Sequence, residues 1–245
     1  TSDSSDIKGM LPPPLAAAPA AEVNTADNVP ASDWHAYGRT QHGMRYSPLA
    51  QITPSNVERL EKVWHYHTGD MRRPSDPNET TYEVTPLKID DSLFICTPHN
   101  FVIALDAETG EERWRFDPEG PDSTNRQHLT CRGLSYHTSE TPVEGQACQQ
   151  RLFMPTADAR LIALDPETGK VCESFGENGA VNLWKNMPNV TEGFYYSTSP
   201  PVVANDLVIV GGAVNDNVST TEPSGVIRAY DAITGELKWN WDPGN

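Results

Sequence analysis

The chain has 245 residues, with 18 Lys and Arg against 34 Asp and Glu, for a formal net charge of −16. That balance excludes nucleic acid as a partner, because phosphate backbones require a surplus of cations, and the lack of any run of about 18 apolar residues excludes a membrane-spanning helix within the sequence. Six Trp and eight Tyr among several β-branched runs exclude disorder of the whole, and the length suffices for one large core or two small domains.

The first residue is Thr1 rather than Met, so a leader or upstream segment is expected to have been removed, or the chain is an excised piece. Residues 1–30 read as a linker. Leu11-Pro12-Pro13-Pro14 is followed by an Ala-rich stretch, 16–21, interrupted by Pro19. Proline fixes φ and removes a donor, so the segment should be extended and semi-rigid; an amphipathic helix is the rival reading, with Pro19 inside it. The composition turns globular at Trp34, and 31–245 is expected to form one domain. Its first predicted strand is 61–68, carrying Trp64.

The remainder repeats. Asp106-Ala107-Glu108-Thr109-Gly110 recurs as Asp165-Pro166-Glu167-Thr168-Gly169 and as Asp231-Ala232-Ile233-Thr234-Gly235, the aspartates lying 59 and 66 residues apart. Each copy follows a predicted strand (101–105, 161–164, 226–230) and precedes another (113–116, 171–175, 237–241). A further strand leads each unit, at 92–97, 151–155 and 207–211. Asp can cap the turn that ends the first strand, and Gly accepts the φ > 0 that a tight reversal needs. The returning strand carries Trp114 or Trp239, read as packing anchors like Trp64; the second copy has Cys172-Glu173 instead. Multi-strand antiparallel units with a period above about fifty residues predict an all-β fold, a β-propeller, over a sandwich with accidental turns. The unmatched strand at 61–68 then reads as one that closes a ring by joining a last blade absent from this chain.

Cys96, Cys131, Cys148 and Cys172 permit disulfides in three pairings, with buried free thiols on strands equally open. None has a zinc-like spacing. The sequons at Asn78, Asn189 and Asn217 matter only in a eukaryotic secreted protein.

Several longer stretches carry a resemblance. Asp33-Trp34-His35-Ala36-Tyr37-Gly38-Arg39, Arg45-Tyr46-Ser47-Pro48-Leu49 and Gln51-Ile52 resemble the opening of quinoprotein dehydrogenases. Gln127-His128-Leu129-Thr130-Cys131-Arg132-Gly133, Cys96-Thr97-Pro98-His99, Thr198-Ser199-Pro200-Pro201 and Asn215-Asp216-Asn217-Val218-Ser219-Thr220 resemble, more narrowly, the membrane-bound quinoprotein glucose dehydrogenases and their quinate/shikimate dehydrogenase relatives. The resemblance covers about 33–245. It implies an eight-bladed propeller, of which this chain supplies the first three to four blades. It also implies pyrroloquinoline quinone (PQQ) and Ca2+ or Mg2+ on the axis, and oxidation of a sugar or polyol on the periplasmic side of the bacterial inner membrane. Electrons would pass to ubiquinone, and upstream transmembrane helices would precede the linker at 11–21.

PQQ is a planar tricarboxylate, so its site needs cations, flat groups and a metal that polarises the reactive carbonyl. The resemblance aligns Arg132 with a cofactor-binding arginine, whose rigid fork suits a carboxylate or quinone oxygens, and sets His128 beside the ring. Asp216 and Asn217 fall where the family binds its metal and offer the oxygen ligands that Ca2+ and Mg2+ require. Gly211, Gly212 and Ala213 would let backbone approach the cofactor, and Glu83 and Thr198 match polar cofactor contacts. His35, His65, His67, His99 and His137 show no metal spacing and read as structural or surface residues. The family's catalytic base, an Asp in a later blade, and a PQQ-contacting Lys would lie beyond Asn245, so no base is assigned. Glucose is the leading substrate and quinate or shikimate the alternative. A non-enzymatic propeller scaffold is the rival class, and the missing half could also come from a second polypeptide.

Overall fold

A computed structural model describes residues 29–122, 125–139, 147–215, 218 and 220–242. The linker expected over 1–30 lies outside them except for its last two residues. Among the described residues, one 3-10 turn, Val57–Arg59, and the short strand β1 (Glu79–Thr80) precede the first sheet. That sheet is β2 (Leu87–Ile89), β3 (Ser92–Cys96), β4 (Val102–Asp106) and β5 (Glu112–Phe116), hydrogen-bonded in that order. After β6 (His128–Leu129) comes the second: β7 (Ser135–Thr138), β8 (Gln150–Pro155), β9 (Arg160–Leu164) and β10 (Ala180–Asn182). After β11 (Tyr195–Tyr196) comes the third: β12 (Val202–Ala204), β13 (Leu207–Val210), β15 (Ile227–Asp231) and β16 (Leu237–Trp241); β14 (Ala213–Val214) folds back onto β11. All three are antiparallel meanders of four strands. These are propeller blades, each beginning at its inner strand, and the inner strands β7 and β12 are neighbours.

Side chains alternate across a strand, and the middle blade uses both faces. Ile162 and Leu164 of β9 pack with Leu87, Phe94, Val102 and Ala104 of the first blade. Leu161 and Ala163 pack with Val208, Val210 and Tyr230 of the third. A strand sandwiched in this way reads as a nearly continuous apolar run, which is the pattern of 161–164.

The three corners are superposable in their bonding. Oδ1 of Asp106 accepts the N–H groups of Glu108 and Thr109 at 3.0 and 2.8 Å and the Thr109 hydroxyl at 3.0 Å. Asp165 and Asp231 repeat this set. Gly110 and Gly169 adopt φ of +74° and +69°. A Cβ on Gly110 would lie 2.5 Å from the Trp64 ring, and one on Gly169 would lie 2.6 Å from the Trp114 ring. Trp114 also donates Nε1–H to the Pro166 carbonyl at 3.0 Å. The corner tryptophan of one blade therefore seats on the corner glycine of the next.

Two predicted strands are not formed among the described residues: 61–68, whose expected partner was a blade absent from this chain, and 171–175. Residues 61–68 pair with no strand among the described residues, because a ladder needs a neighbour with free backbone groups. The segment lies beside β5 through side chains instead: Tyr66 bonds Glu112, and Arg115 bonds the Tyr66 hydroxyl and the Thr68 carbonyl. Residues 171–175 are not a strand either. Val171 makes one bridge to Leu164, and the chain then turns, with Phe175 N–H bonding the Cys172 carbonyl at 2.8 Å. The outer strand of that blade is β10. The next turn replaces the missing tryptophan, since Gly176 N–H bonds the Thr234 carbonyl at 2.9 Å and its backbone covers Gly235.

All four cysteines are paired. Cys96–Cys131 joins the end of β3 to the residue before Arg132, and Cys148–Cys172 closes a loop within the second blade.

Candidate functional site

The residues just ahead of each inner strand run side by side. Thr85 N–H bonds the Arg132 carbonyl, and Arg132 N–H bonds the Thr198 carbonyl, both at 2.9 Å. The lateral fit is close: a Cβ on Gly133 would meet the Thr85 carbonyl oxygen at 3.3 Å and the Pro200 ring at 3.6 Å. Further out, β1 and β6 pair in parallel, setting Glu79 against His128 and Thr80 against Leu129.

An extended chain turns alternate residues to one side, so Glu79, Thr81 and Glu83 form a row. The Glu79 carboxylate lies 2.5 Å from Nδ1 of His128. The Thr81 hydroxyl donates to Glu83 at 2.8 Å, Glu83 lies 2.8 Å from Nε of Arg132, and Nη1 of Arg132 donates to the Thr198 hydroxyl. Glu83 is held below its ordinary pKa by the Thr81 hydroxyl and, against some burial, by the Arg132 charge. With Nδ1–H given to Glu79, the open nitrogen of His128 is Nε2. The His128 N–H donates to the Tyr196 hydroxyl at 2.9 Å, and burial pushes that phenol upward.

Glu83, Arg132 and Thr198 thus come together in one bonded cluster, with His128 four residues away on the same segment. Arg132 stays 39% exposed and borders a cavity of about 370 Å3 lined by His35, Tyr37, Ser135, Tyr136 and Pro200. Ala213 pairs with Tyr196 across β11 and β14. At Gly212 a Cβ would sit 2.3 Å from the Tyr195 ring, so the space this glycine leaves is filled by that ring. Asp216 and Asn217 lie outside the described residues. Among the described residues no group of three or more His, Cys, Asp or Glu could hold a metal ion, and no helix is long and apolar enough to cross a membrane.

Sequence reasoning missed Glu79 and Thr81. Their signal was the alternation Glu79-x-Thr81-x-Glu83, which needs the parallel partner segment to acquire meaning. His99, read as structural or surface, has its ring enclosed by Asp70 and Asp76.

Residues 34–245 match the family described as glucose/ethanol/alcohol dehydrogenase, PQQ β-propeller domain. The chain is 45% identical to the quinoprotein glucose dehydrogenase of Escherichia coli (strain K12), over 99% of this chain and 30% of that protein. It is 37% identical to the quinate/shikimate dehydrogenase (quinone) of Acinetobacter baylyi, over 87% of this chain. Its fold is similar to the quinohemoprotein alcohol dehydrogenase from Comamonas testosteroni, with a TM-score of 0.65 and 27% identity, covering 88% of this chain and 28% of that one. The chain therefore spans about 30% of the length of the curated relatives it matches.

Proposed function

The chain belongs to the PQQ-dependent glucose/ethanol/alcohol dehydrogenase β-propeller family, and from that premise we propose that it is the N-terminal part of a periplasmic dehydrogenase oxidising glucose or a related sugar or polyol. The electrons go to ubiquinone, and helices upstream of this chain anchor the enzyme to the inner membrane. The remaining blades come from the same chain or from a second polypeptide.

The observation that carries the reading is the Glu83–Arg132–Thr198 cluster at the head of the inner strands. Its donor set fits PQQ: a half-exposed guanidinium for a carboxylate or quinone oxygen, a hydroxyl, and an imidazole flat enough to lie against the ring. PQQ supplies the two-electron acceptor. Glu83 holds the guanidinium in one orientation, so Arg132 binds without first ordering its own side chain. His128 presents Nε2 to the ligand, and the backbone at Gly212 and Ala213 completes the wall, with the Tyr195 ring occupying the side that Gly212 leaves open. Asp216 and Asn217 would supply oxygens to Ca2+ or Mg2+. A general base must reach the substrate hydroxyl, and we assign none among the described residues of this chain.

The test uses the full-length protein reconstituted with PQQ and Ca2+ or Mg2+. D-glucose should reduce an artificial dye, and Arg132→Ala should raise the PQQ concentration for half-saturation by about tenfold or more, the effect of losing one charge-assisted contact. Dye reduction by no sugar, polyol or quinate would overturn the enzyme reading. Unimpaired function of Arg132→Ala without any PQQ binding would favour a scaffold. Quinate is the second reading, supported by the 37% identical relative; parallel turnover with D-glucose and quinate separates the two.

A further inference from the structure

We propose that His99 is a positioning residue for the cofactor cradle: its ring clamps the segment that carries Glu79 and Glu83, and so sets the placement of His128 and Arg132. This rests on the reading that Glu83, His128 and Arg132 face PQQ.

His99 lies in the turn between β3 and β4. Its Nδ1 is 2.5 Å from Asp70 Oδ1, its Nε2 is 2.9 Å from Asp76 Oδ1, and its backbone N–H donates to Asp70 Oδ2 at 3.0 Å. The His99 side chain is 8% exposed and those of Asp70 and Asp76 are 2% and 3% exposed. An ionised carboxylate only accepts hydrogen bonds, so a ring bonded to two of them donates from both nitrogens as an imidazolium. Asp70 first, and Asp76 against the opposing burial, raise the His99 pKa accordingly.

Besides His99, the segment is held at Asp70 by the Thr97 side chain and by the Asp70 N–H bond to the Thr68 hydroxyl. Residues 70–78 contain no strand and no buried apolar side chain. Arg73 bonds Asp76 through its own N–H and reaches the exposed Asp122. Three residues beyond Asp76, Glu79 meets His128; four further on, Glu83 meets Arg132. The same turn grips the opposite segment, because Cys96, three residues before His99, is bonded to Cys131, the residue before Arg132. One turn thus fixes both halves of the cradle, one by an ionic clamp and one by a covalent bond. Binding groups need supporting contacts that hold them to fractions of an ångström.

Other titratable groups near the clamp are Tyr82, whose phenol burial and then Asp70 push upward, and Arg73, Asp117, Glu119, Asp122, Arg126 and Asp158 around an adjoining cavity. None of these changes charge between about pH 6.5 and 9 at ordinary values. His128 is present in every protein compared, so the difference between wild type and a His99 variant isolates His99.

The experiment titrates PQQ into the full-length apoprotein by fluorescence quenching, from pH 6.5 to 9, for wild type, His99→Gln, Arg132→Ala and the double variant. His99→Gln should weaken PQQ binding about tenfold at pH 6.5, by analogy with groups that orient a ligating residue. The penalty should largely vanish when Arg132 is already Ala, because coupled residues are non-additive. Wild-type affinity should fall toward that of His99→Gln as pH rises. If His99→Gln does not fold, Asp76→Asn serves, with a smaller loss expected. Wild-type affinity in His99→Gln, or penalties that simply multiply, would overturn the clamp while Arg132→Ala still binds weakly. Unchanged affinity in Arg132→Ala would instead overturn the cofactor reading, and the clamp's role with it.

Discussion

At Gly169 one missing methyl group decides a contact between blades. The residue has φ of +69°, and its Cα hydrogen faces the Trp114 ring so closely that a Cβ would lie 2.6 Å from it. Gly169→Ala meets both a disfavoured backbone conformation and an overpacked ring, and is expected to cost about 2–4 kcal/mol. Gly211→Ala, with its nearest neighbour 3.8 Å from the added carbon, should change stability by less than about 0.5 kcal/mol. Chemical denaturation of the two variants checks the contrast. The His99 clamp ties stability to pH. A raised folded pKa contributes stability that is complete below the unfolded value near 6.5 and is lost as pH climbs through the folded value. Burial pushes the Asp70 carboxyl upward, but the His99 ring and N–H outweigh it and leave the group below its ordinary 3.8. Its contribution is therefore complete above 3.8 and lost as pH falls through the lower folded value. The stability difference between wild type and His99→Gln should be widest from about pH 4.5 to 6.5 and narrow on either side, as thermal midpoints across pH will show.

The second blade departs from its neighbours at the element scale, and its disulfide explains how it stays in line. Where the other blades return a tryptophan-bearing strand, this one turns at Cys172, and Cys148 holds that turn across a separation of 24 residues. The turn matters because Gly176, just beyond, covers Gly235 of the third blade. Removing the bond by Cys148→Ala with Cys172→Ala should cost roughly 3 kcal/mol in loop entropy and leave PQQ affinity unchanged in the full-length protein. Removing Cys96–Cys131 should weaken PQQ binding as well, since that bond adjoins Arg132. The strand before each Asp-x-x-Thr-Gly corner was legible because an apolar run and a local turn signal coincide there; 101–105 is observed as Val102–Asp106. Residues 61–68 and 171–175 carry equally good strand patterns and form none, because a strand is a property of a pair and its partner is written elsewhere. Ala180–Asn182, the actual outer strand, has little pattern of its own. The placement of Arg132, Glu83 and Thr198 ahead of inner strands was legible from their motifs. Glu79 was not, because its partner arrives through a two-residue parallel ladder, and the His99 clamp was not, because it joins residues 29 and 23 positions apart with no local signature.

For the molecule as a whole, the 245-residue polypeptide presents apolar surface at both ends of its run of blades. On β16, Leu237, Trp239 and Trp241 are 45%, 41% and 57% exposed. Ahead of the first blade, Met44, Tyr46, Ile52 and Val63 are 74%, 68%, 61% and 86% exposed. Trp64 and Trp114 each cover the corner glycine of the blade that follows, and Trp239 is the matching residue on the outer strand of the third blade. An open strand edge with exposed aromatic residues invites pairing with another chain, while the net charge of −16 opposes it by mutual repulsion. These two terms respond oppositely to salt. At low ionic strength repulsion should keep the isolated 245-residue polypeptide dispersed. Near 1 M salt, where the screening length falls to about 3 Å, it should self-associate, with a blue shift in tryptophan emission as Trp239 and Trp241 are covered. Trp239→Ser with Trp241→Ser should suppress that association at every salt concentration. A longer chain supplying the next blade should stay monomeric in the same buffers, because the surface that drives association is then buried within one molecule. Light scattering across a salt series on the three proteins separates edge pairing from charge-driven aggregation, which would instead weaken as salt rises.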